Sequence, residues 1–121
     1  MGILTENYRI VRGEPSLATI EYTSFNETVL GTVDFDKTLR LEEENLRWLG
    51  EAITACLARD ETFVLKRQSG SDSLEVSESG YEYGAHVVVH NTRENTDAQP
   101  GKSWVSMSGE LARKLANELL A

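Results

Sequence analysis

Residues 39–57 read LRLEEENLRWLGEAITACL, and the spacing of the apolar side chains changes within this stretch. Up to Leu41 apolar and polar residues alternate, which is the period of a half-exposed strand. After Leu41 the apolar residues recur at helical spacing, and the glutamates at 42–44 favour a helix start because negative charge complements the helix dipole. The stretch therefore predicts a strand that leads into an amphipathic helix over residues 42–59. The apolar positions of this helix are Leu46, Leu49, Ile53, Cys56 and Leu57.

A second strand-to-helix junction ends the chain, where residues 105–119 read VSMSGELARKLANEL. Ser108 is placed to act as the N-cap of this second helix, since a serine oxygen can accept a backbone N–H of the first turn. The two junctions superpose after a shift of 66 residues, which indicates a possible internal repeat of residues 1–60 and 61–121. The matched pairs are Leu39 and Val105, Leu41 and Met107, Leu46 and Ala112, Leu49 and Leu115, and Ile53 and Leu119.

The segments before each junction predict strands, because they alternate in polarity or are rich in β-branched residues and are separated by turn-forming residues. The predicted strands are 8–12, 17–25, 29–36, 62–67, 74–76, 83–90 and 103–107, with turns at Asn26-Glu27 and 69–73 and a loop at 91–102. The resulting prediction is a single α+β domain over residues 1–121. It consists of two similar halves, each an antiparallel β-meander of three to four strands followed by an amphipathic helix packed on one sheet face.

The composition predicts an ordinary globular protein with an acidic surface. The 121 residues are 40% hydrophobic and 26% charged, and the formal net charge is −8, with an acidic excess in both halves. No apolar run reaches the ~20 residues of a membrane span, and the first twelve residues lack a secretory signal, so we expect a cytoplasmic location and no membrane contact. A negative field attracts basic surfaces and repels phosphate backbones, although it also serves solubility alone.

The residue types that carry chemistry do not form a catalytic pattern. Cys56 lies on the apolar stripe of the first helix, which is typical of a buried structural thiol. His86 and His90 fall on one strand face roughly 13 Å apart, too far to share a metal ion. Asp34 and Asp36 also share a strand face, but acidic residues near a strand end are usually solvated rather than paired for a cation or for acid–base work. We therefore expect no enzyme activity, no catalytic or metal-binding residues and no cofactor.

Trp104 is the most informative single residue. If Val105 and Met107 face the helix, Trp104 and Ser106 face the other side of the sheet, where an exposed aromatic ring suggests a partner. Trp48 falls on the margin of the first helix stripe, and partial burial at the core edge is the alternative for both tryptophans. The candidate partner-binding residues are Trp104, Ser106, His86, His90 and Trp48.

Residues 74–119 resemble the single-stranded DNA-binding domain of the transcriptional coactivator positive cofactor four. The matching parts are Leu74-Glu75-Val76, His86 to His90, Pro100-Gly101-Lys102, Val105-Ser106-Met107-Ser108 and Leu111 to Leu119. Whirly and Pur proteins resemble this unit in duplicate. The resemblance implies a nucleic-acid-binding set consisting of Lys66, Arg67, Arg93, Lys102 and Trp104. The chain departs from that pattern in being acidic in both halves, whereas such proteins gain affinity by neutralising phosphates.

Taken together, the charge, the lack of a catalytic pattern and Trp104 predict a non-enzymatic acidic binding module, expected to be a homodimer, that engages a basic macromolecular partner. Small inhibitors, immunity proteins and phage-encoded antagonists have this physical character. The alternative is a single-stranded nucleic-acid-binding transcription regulator of the positive cofactor four or Whirly type.

Overall fold

A computed structural model describes residues 3–28, 31–58, 63–81, 84–92 and 103–121. Three strands come first: β1 (Ile3–Glu14), β2 (Leu17–Thr28) and β3 (Gly31–Glu42). A short 3₁₀ turn (Glu43–Asn45) then leads into the helix α1 (Leu46–Leu57). The second half contains β4 (Phe63–Ser69), β5 (Asp72–Tyr81), β6 (Gly84–Asn91), β7 (Ser103–Ser108) and the helix α2 (Gly109–Leu120).

The strands form two antiparallel sheets in sequence order. The first sheet has the order β1-β2-β3 and the second has the order β4-β5-β6-β7. The predicted α+β class is confirmed, with sheets of three and four strands and two helices. In the second sheet the register places Val76 opposite Val89 and Val89 opposite Val105, so one face is a continuous apolar surface. Neither described helix is long and apolar enough to cross a membrane.

The two helices pack against each other and against the apolar face of the second sheet. α1 lies on β4, β5 and β6, whereas α2 lies on β6 and β7 and also reaches β1 of the first sheet. Burial of each large side chain in this core contributes about 1.5–3 kcal/mol relative to exposure. The helix residues that are buried include Leu49, Ile53 and Cys56 of α1 and Ala112, Leu115 and Ala116 of α2.

The predicted start of the first helix at residue 42 is wrong. Glu42 ends β3 in an extended conformation, and α1 begins only at Leu46. The Glu42 N–H donates to Oδ2 of Asp72 at 2.7 Å, and the Glu43 N–H donates to the Ser16 carbonyl at 2.9 Å. These bonds satisfy the backbone outside a helix, so the glutamates lie before the helix rather than in its first turn.

The predicted turn at Asn26-Glu27 is also wrong, because both residues lie inside β2. Asn26 pairs with Val33 and Glu27 pairs with Thr32, and the turn that follows lies outside the described residues. Pairing on both sides of β2 overrides the weak strand propensity of these two residues. The strands are longer than predicted at other places too: β1 begins at Ile3, and β5 extends from Asp72 to Tyr81.

Candidate binding face

One face of the second sheet is turned away from the helices. Val105 and Met107 are 0% and 2% exposed on the helix side, while Trp104 and Ser106, which alternate with them along β7, are partly exposed. The same alternation holds across the sheet. We call the surface opposite the helices the open face, and its described members are Val64, Lys66, Gln68, Ser73, Glu75, Ser77, Val88, His90, Trp104 and Ser106.

A row of charged and aromatic side chains crosses the open face. Register places Lys66 opposite Glu75, Glu75 opposite His90, and His90 opposite Trp104. The His90 and Trp104 rings stack with centroids 6.4 Å apart and planes inclined by 24°. Lys37 of β3 continues the row from the first sheet, with its Nζ atom 4.6 Å from the centroid of the Trp104 ring. We call these five residues the Trp104 row.

The Trp104 row combines positive charge with aromatic surface. The electron-rich face of an indole attracts a cation, and the same face can stack on a nucleic-acid base. Lys37 already makes the first kind of contact, because its ammonium group lies over the Trp104 ring. Because Lys37 and Lys66 lie at the two ends and Glu75 is the one acidic member, the row is locally positive on a chain of net charge −8.

A hollow of about 490 Å³ lies on the second sheet, beside the end of β4, the start of β5 and the end of β6. Its lining includes the open-face residues Lys66, Gln68, Ser73 and His90 together with Thr92, whose side chains can donate hydrogen bonds. Arg67 and Leu74 also border it, but they alternate with these residues and their side chains lie on the helix side of the sheet. Glu75 is the acidic residue in its wall. We call this space the β4 hollow. It shares Lys66, Glu75 and His90 with the Trp104 row, so the two form one continuous surface.

Behind the β4 hollow is a network of buried polar side chains. Asn45, Asp72 and Asn91 are at most 1% exposed. Asp72 accepts hydrogen bonds from Nδ2 of Asn45 at 2.8 Å and from Nδ2 of Asn91 at 3.0 Å. Asn45 in turn accepts a bond of 2.9 Å from Nε of Arg67. A buried carboxylate therefore orients, through one amide, the Arg67 side chain on the helix side of the sheet.

Sequence reasoning missed this network. The predicted turn at 69–73 contains Asp72 and the predicted loop at 91–102 contains Asn91, and in such segments these residue types commonly bond to nearby backbone. In the structure Asn91 also donates to the carbonyl of Arg40 at 2.7 Å and accepts the Ser73 N–H at 3.0 Å. These partners are distant in the sequence, so no local signal distinguished the two residues from ordinary turn formers.

A separate acidic surface lies at the turn between β3 and α1. Glu43 and Glu44 are exposed there, and with Ser16 and Glu42 they border a second hollow of about 480 Å³. Glu43 lies 3.7 Å from Arg12, and Glu44 accepts a bond of 3.3 Å from Ser69. We call this surface the acidic turn.

The structure brings together three of the five predicted partner-binding residues. Trp104, Ser106 and His90 share the open face. Trp48 does not join them, since it is partly buried in α1 against the core on the other side of the sheet. His86 lies in β6 opposite Ser108, but its side chain is outside the description.

The structure describes three of the five residues that the family resemblance indicated. Lys66 and Trp104 belong to the Trp104 row, whereas Arg67 pairs with buried Leu74 and lies on the helix side of the second sheet. Arg93 and Lys102 lie outside the described residues. Asp34 and Asp36 lie in β3, and their side chains are likewise outside the description. The sequence analysis considered this pair as an acid–base or cation site.

The residues with candidate chemistry do not form a metal cluster within the described ranges, where no three His, Cys, Asp or Glu side chains lie together as ligands. Cys56 is fully buried, with its Sγ 3.7 Å from the Val76 carbonyl. Comparison with family models finds no match to the chain, and comparison with curated proteins finds none either.

Proposed function

We propose that the chain is a non-enzymatic binding module that engages a macromolecular partner through the open face of its second sheet. The observation that carries this proposal is the position of Trp104, which lies partly exposed between His90 and Lys37 rather than in the core. Tryptophan is enriched in the centres of protein interfaces because it offers a large contact area at low entropic cost.

The partner that the overall charge favours is a basic macromolecule. The chain has a net charge of −8, and Glu43 and Glu44 are exposed at the acidic turn. Carboxylates at such a surface accelerate encounter with a positively charged partner without requiring buried ion pairs. In this reading the module acts as a stoichiometric antagonist of a basic protein, in the manner of an inhibitor or immunity protein.

The salt dependence of the association rate tests the basic partner. Binding to a cationic probe such as poly-L-arginine should slow as the salt concentration rises, and the double variant Glu43→Gln and Glu44→Gln should bind more slowly than the wild type at low salt. Glu51→Gln is the matched control, since Glu51 is exposed on α1 and faces Arg47. A rate that is the same at low and high salt would contradict this reading.

The second candidate is single-stranded nucleic acid, and the Trp104 row is the observation that favours it. Proteins that bind single strands combine aromatic stacking surfaces with cations along a groove. Lys37 and Lys66 supply cations at both ends of the row, with His90 and Trp104 between them. Glu75 interrupts the row, so this face is less positive than a continuous basic groove.

A labelled oligonucleotide separates the two candidates. Micromolar binding that weakens with salt, and that is reduced in the double variant Lys37→Ala and Lys66→Ala but not in Lys114→Ala, would establish the nucleic-acid reading. Lys114 is a suitable control because it is exposed on α2, away from the open face. Absence of binding at low salt would leave the basic partner as the surviving candidate.

We also propose that the two halves derive from one duplicated meander-and-helix unit and that the protein is a homodimer. The order of three strands and a helix followed by four strands and a helix supports the first idea. Sedimentation equilibrium tests the second, since a monomer at micromolar concentration would refute it. A cytoplasmic location stays a prediction from the sequence.

A further inference from the structure

We propose that the outer edge of β4 binds an extended acidic segment of a partner protein, which adds to the second sheet as a further strand. The function proposed above requires only the open face and the acidic turn, so this inference goes beyond it. It rests on the exposure of β4 and on the charge of the side chains along it. We call the outer side of this strand the β4 edge.

The strand β4 has a pairing partner on one side. All seven of its residues pair with β5, from Phe63 opposite Glu78 to Ser69 opposite Asp72, and β4 ends the strand order of its sheet. In an antiparallel pair alternate residues direct their N–H and C=O groups to the partner, so the remaining residues direct theirs outward. Such an edge is a template for another strand.

The β4 edge is exposed along most of its length. Of the other outer strands, β3 and β7 lie against each other, and β1 is contacted by α2. β4 contacts α1 through one face, where half-buried Leu65 packs against the core. Lys66, Arg67 and Gln68 are all exposed, and Val64 is 45% exposed. Consecutive residues of a strand face opposite sides, so both flanks of the edge are accessible within the described part of the chain.

The charges along the β4 edge have one sign and no ionic partner. Lys66 lies on the open face and Arg67 on the helix side, and within the described ranges neither forms an ion pair, although Glu75 is opposite Lys66 in the register. Arg9 of β1 differs, since it contacts the Glu21 carboxylate at 2.7 Å. Opposite charges that face each other across neighbouring strands stabilise the pairing. The β4 edge therefore favours a strand that carries carboxylates.

A second copy of β4 does not fit the same edge. Full-length antiparallel pairing of two β4 strands would place the central Lys66 of each copy opposite the same residue of the other. Like charges in that position destabilise the pairing, and lysine on an outer strand is a common protection against self-association. The charge that opposes pairing between copies attracts an acidic strand.

The alternation of a strand defines the sequence that such a partner carries. Two consecutive acidic residues would place one carboxylate beside Lys66 and the other beside Arg67, because neighbouring residues face opposite sides. Val64 shares the open face with Lys66, so it favours an apolar residue two positions from the first carboxylate. In strand addition the backbone bonds supply affinity and the alternate side chains supply specificity. The expected partner is therefore an extended segment with adjacent acidic residues and a nearby valine or isoleucine.

The experiment is a titration of ¹⁵N-labelled protein with a blocked heptapeptide that has two consecutive glutamates among valines and threonines. We expect saturable shifts of the backbone amides of residues 64–68 and slower hydrogen exchange at those that face outward. A peptide with two lysines in place of the glutamates should bind a few-fold more weakly for each pair reversed.

Two further peptides separate strand pairing from attraction between charges alone. One carries N-methyl groups on its odd-numbered residues and the other on its even-numbered residues. Only one of these sets of N–H groups faces β4 in a ladder, so one peptide should lose binding and the other should keep it. Binding by both peptides, or by neither, would overturn the pairing.

Variants of the protein locate the site. The double variant Lys66→Gln and Arg67→Gln should bind a few-fold more weakly for each cation removed. Arg113→Gln with Lys114→Gln is the matched control, since it removes two neighbouring cations exposed on α2 and produces the same net charge. Arg67→Gln also removes a bond to the buried network, so Lys66→Gln alone provides the test if the double variant is less stable. Glu75→Gln should strengthen binding, because it removes a like charge beside the peptide.

Three results would overturn the proposal. The first is a set of shifts that do not saturate, and the second is an equal loss of binding in the two double variants. The third is protection of the β4 amides that rises with protein concentration in the absence of peptide, which would assign the edge to a second copy. None of these results affects the salt test of the acidic turn.

Discussion

The Nζ atom of Lys37 lies 4.6 Å from the centroid of the Trp104 ring, which links β3 of the first sheet to β7 of the second. A cation over an indole at a partly exposed site contributes about 0.5–1 kcal/mol. The contact also covers part of the ring on which we propose that a partner binds. Lys37 therefore joins the two sheets and lies over part of the aromatic surface.

Replacing Lys37 should uncover the Trp104 ring. In a Trp48→Phe background, where Trp104 is the remaining tryptophan, Lys37→Gln should increase quenching of fluorescence by acrylamide and lower the free energy of unfolding by about 0.5 kcal/mol. The same background with Lys114→Gln is the control. Quenching that stays the same in both variants would show that Lys37 does not shield the ring.

The carboxylate of Asp72 should be among the most sensitive positions in the protein. It accepts bonds from the Glu42 N–H and from the side chains of Asn45 and Asn91. Asp72→Ala leaves these buried donors without the acceptor, and we expect a loss of about 3 kcal/mol in the free energy of unfolding. Urea denaturation measures it, with exposed Ser73→Ala as the control. A loss below 1 kcal/mol would contradict the importance of the network.

Gly50 marks the closest approach of the two helices. A Cβ atom at this position would lie 3.0 Å from Cβ of Leu119 and 3.0 Å from Cγ of Leu120. Gly50→Ala gains helix propensity but overpacks the crossing, so we expect a net destabilisation of about 1 kcal/mol. Leu120→Ala should remove part of the clash. Thermal unfolding of the two single variants and the double variant should then show favourable coupling, and strict additivity would argue against a steric cause.

The hydroxyl of Tyr22 should make stability depend on pH in the alkaline range. Burial, followed by the 2.7 Å bond to the Glu6 carboxylate, raises the pKa of Tyr22 above the ordinary value of 10.0. The folded state keeps its proton where the unfolded state loses it, so this contribution is complete below pH 10 and is lost as the pH rises further. Urea denaturation at pH 8 and pH 11 should show a smaller fall in stability for Tyr22→Phe than for wild type. Equal falls would contradict the shift.

Periodicity predicted most of the architecture because the buried residues follow it closely. Leu49, Ile53 and Cys56 occupy the buried stripe of α1 as predicted, and Val105 and Met107 occupy the buried side of β7. Ser108 also caps α2 as predicted, since its Oγ accepts the Leu111 N–H at 3.3 Å. These features depend on contacts within one element or on one face, which a local pattern can represent.

The errors occur where distant segments decide the local conformation. Glu42 remains in β3 because Asp72, thirty residues away, accepts its N–H. Asn26 remains in β2 because β1 and β3 pair with it from both sides. Arg67 is a third example, since its orientation depends on the bond to Asn45, twenty-two residues away. None of these relations has a signature in the neighbouring sequence.

The most direct test of the central claim is the fluorescence of each tryptophan in turn. Trp48→Phe leaves Trp104 on the open face, and Trp104→Phe leaves Trp48 against the core. Each variant is titrated with poly-L-arginine and with an octathymidylate at low salt. We expect a saturable change in the variant that retains Trp104, with at least one of the two ligands, and no change in the variant that retains Trp48. A response from Trp48 alone, or from neither tryptophan with either ligand, would contradict binding at the open face.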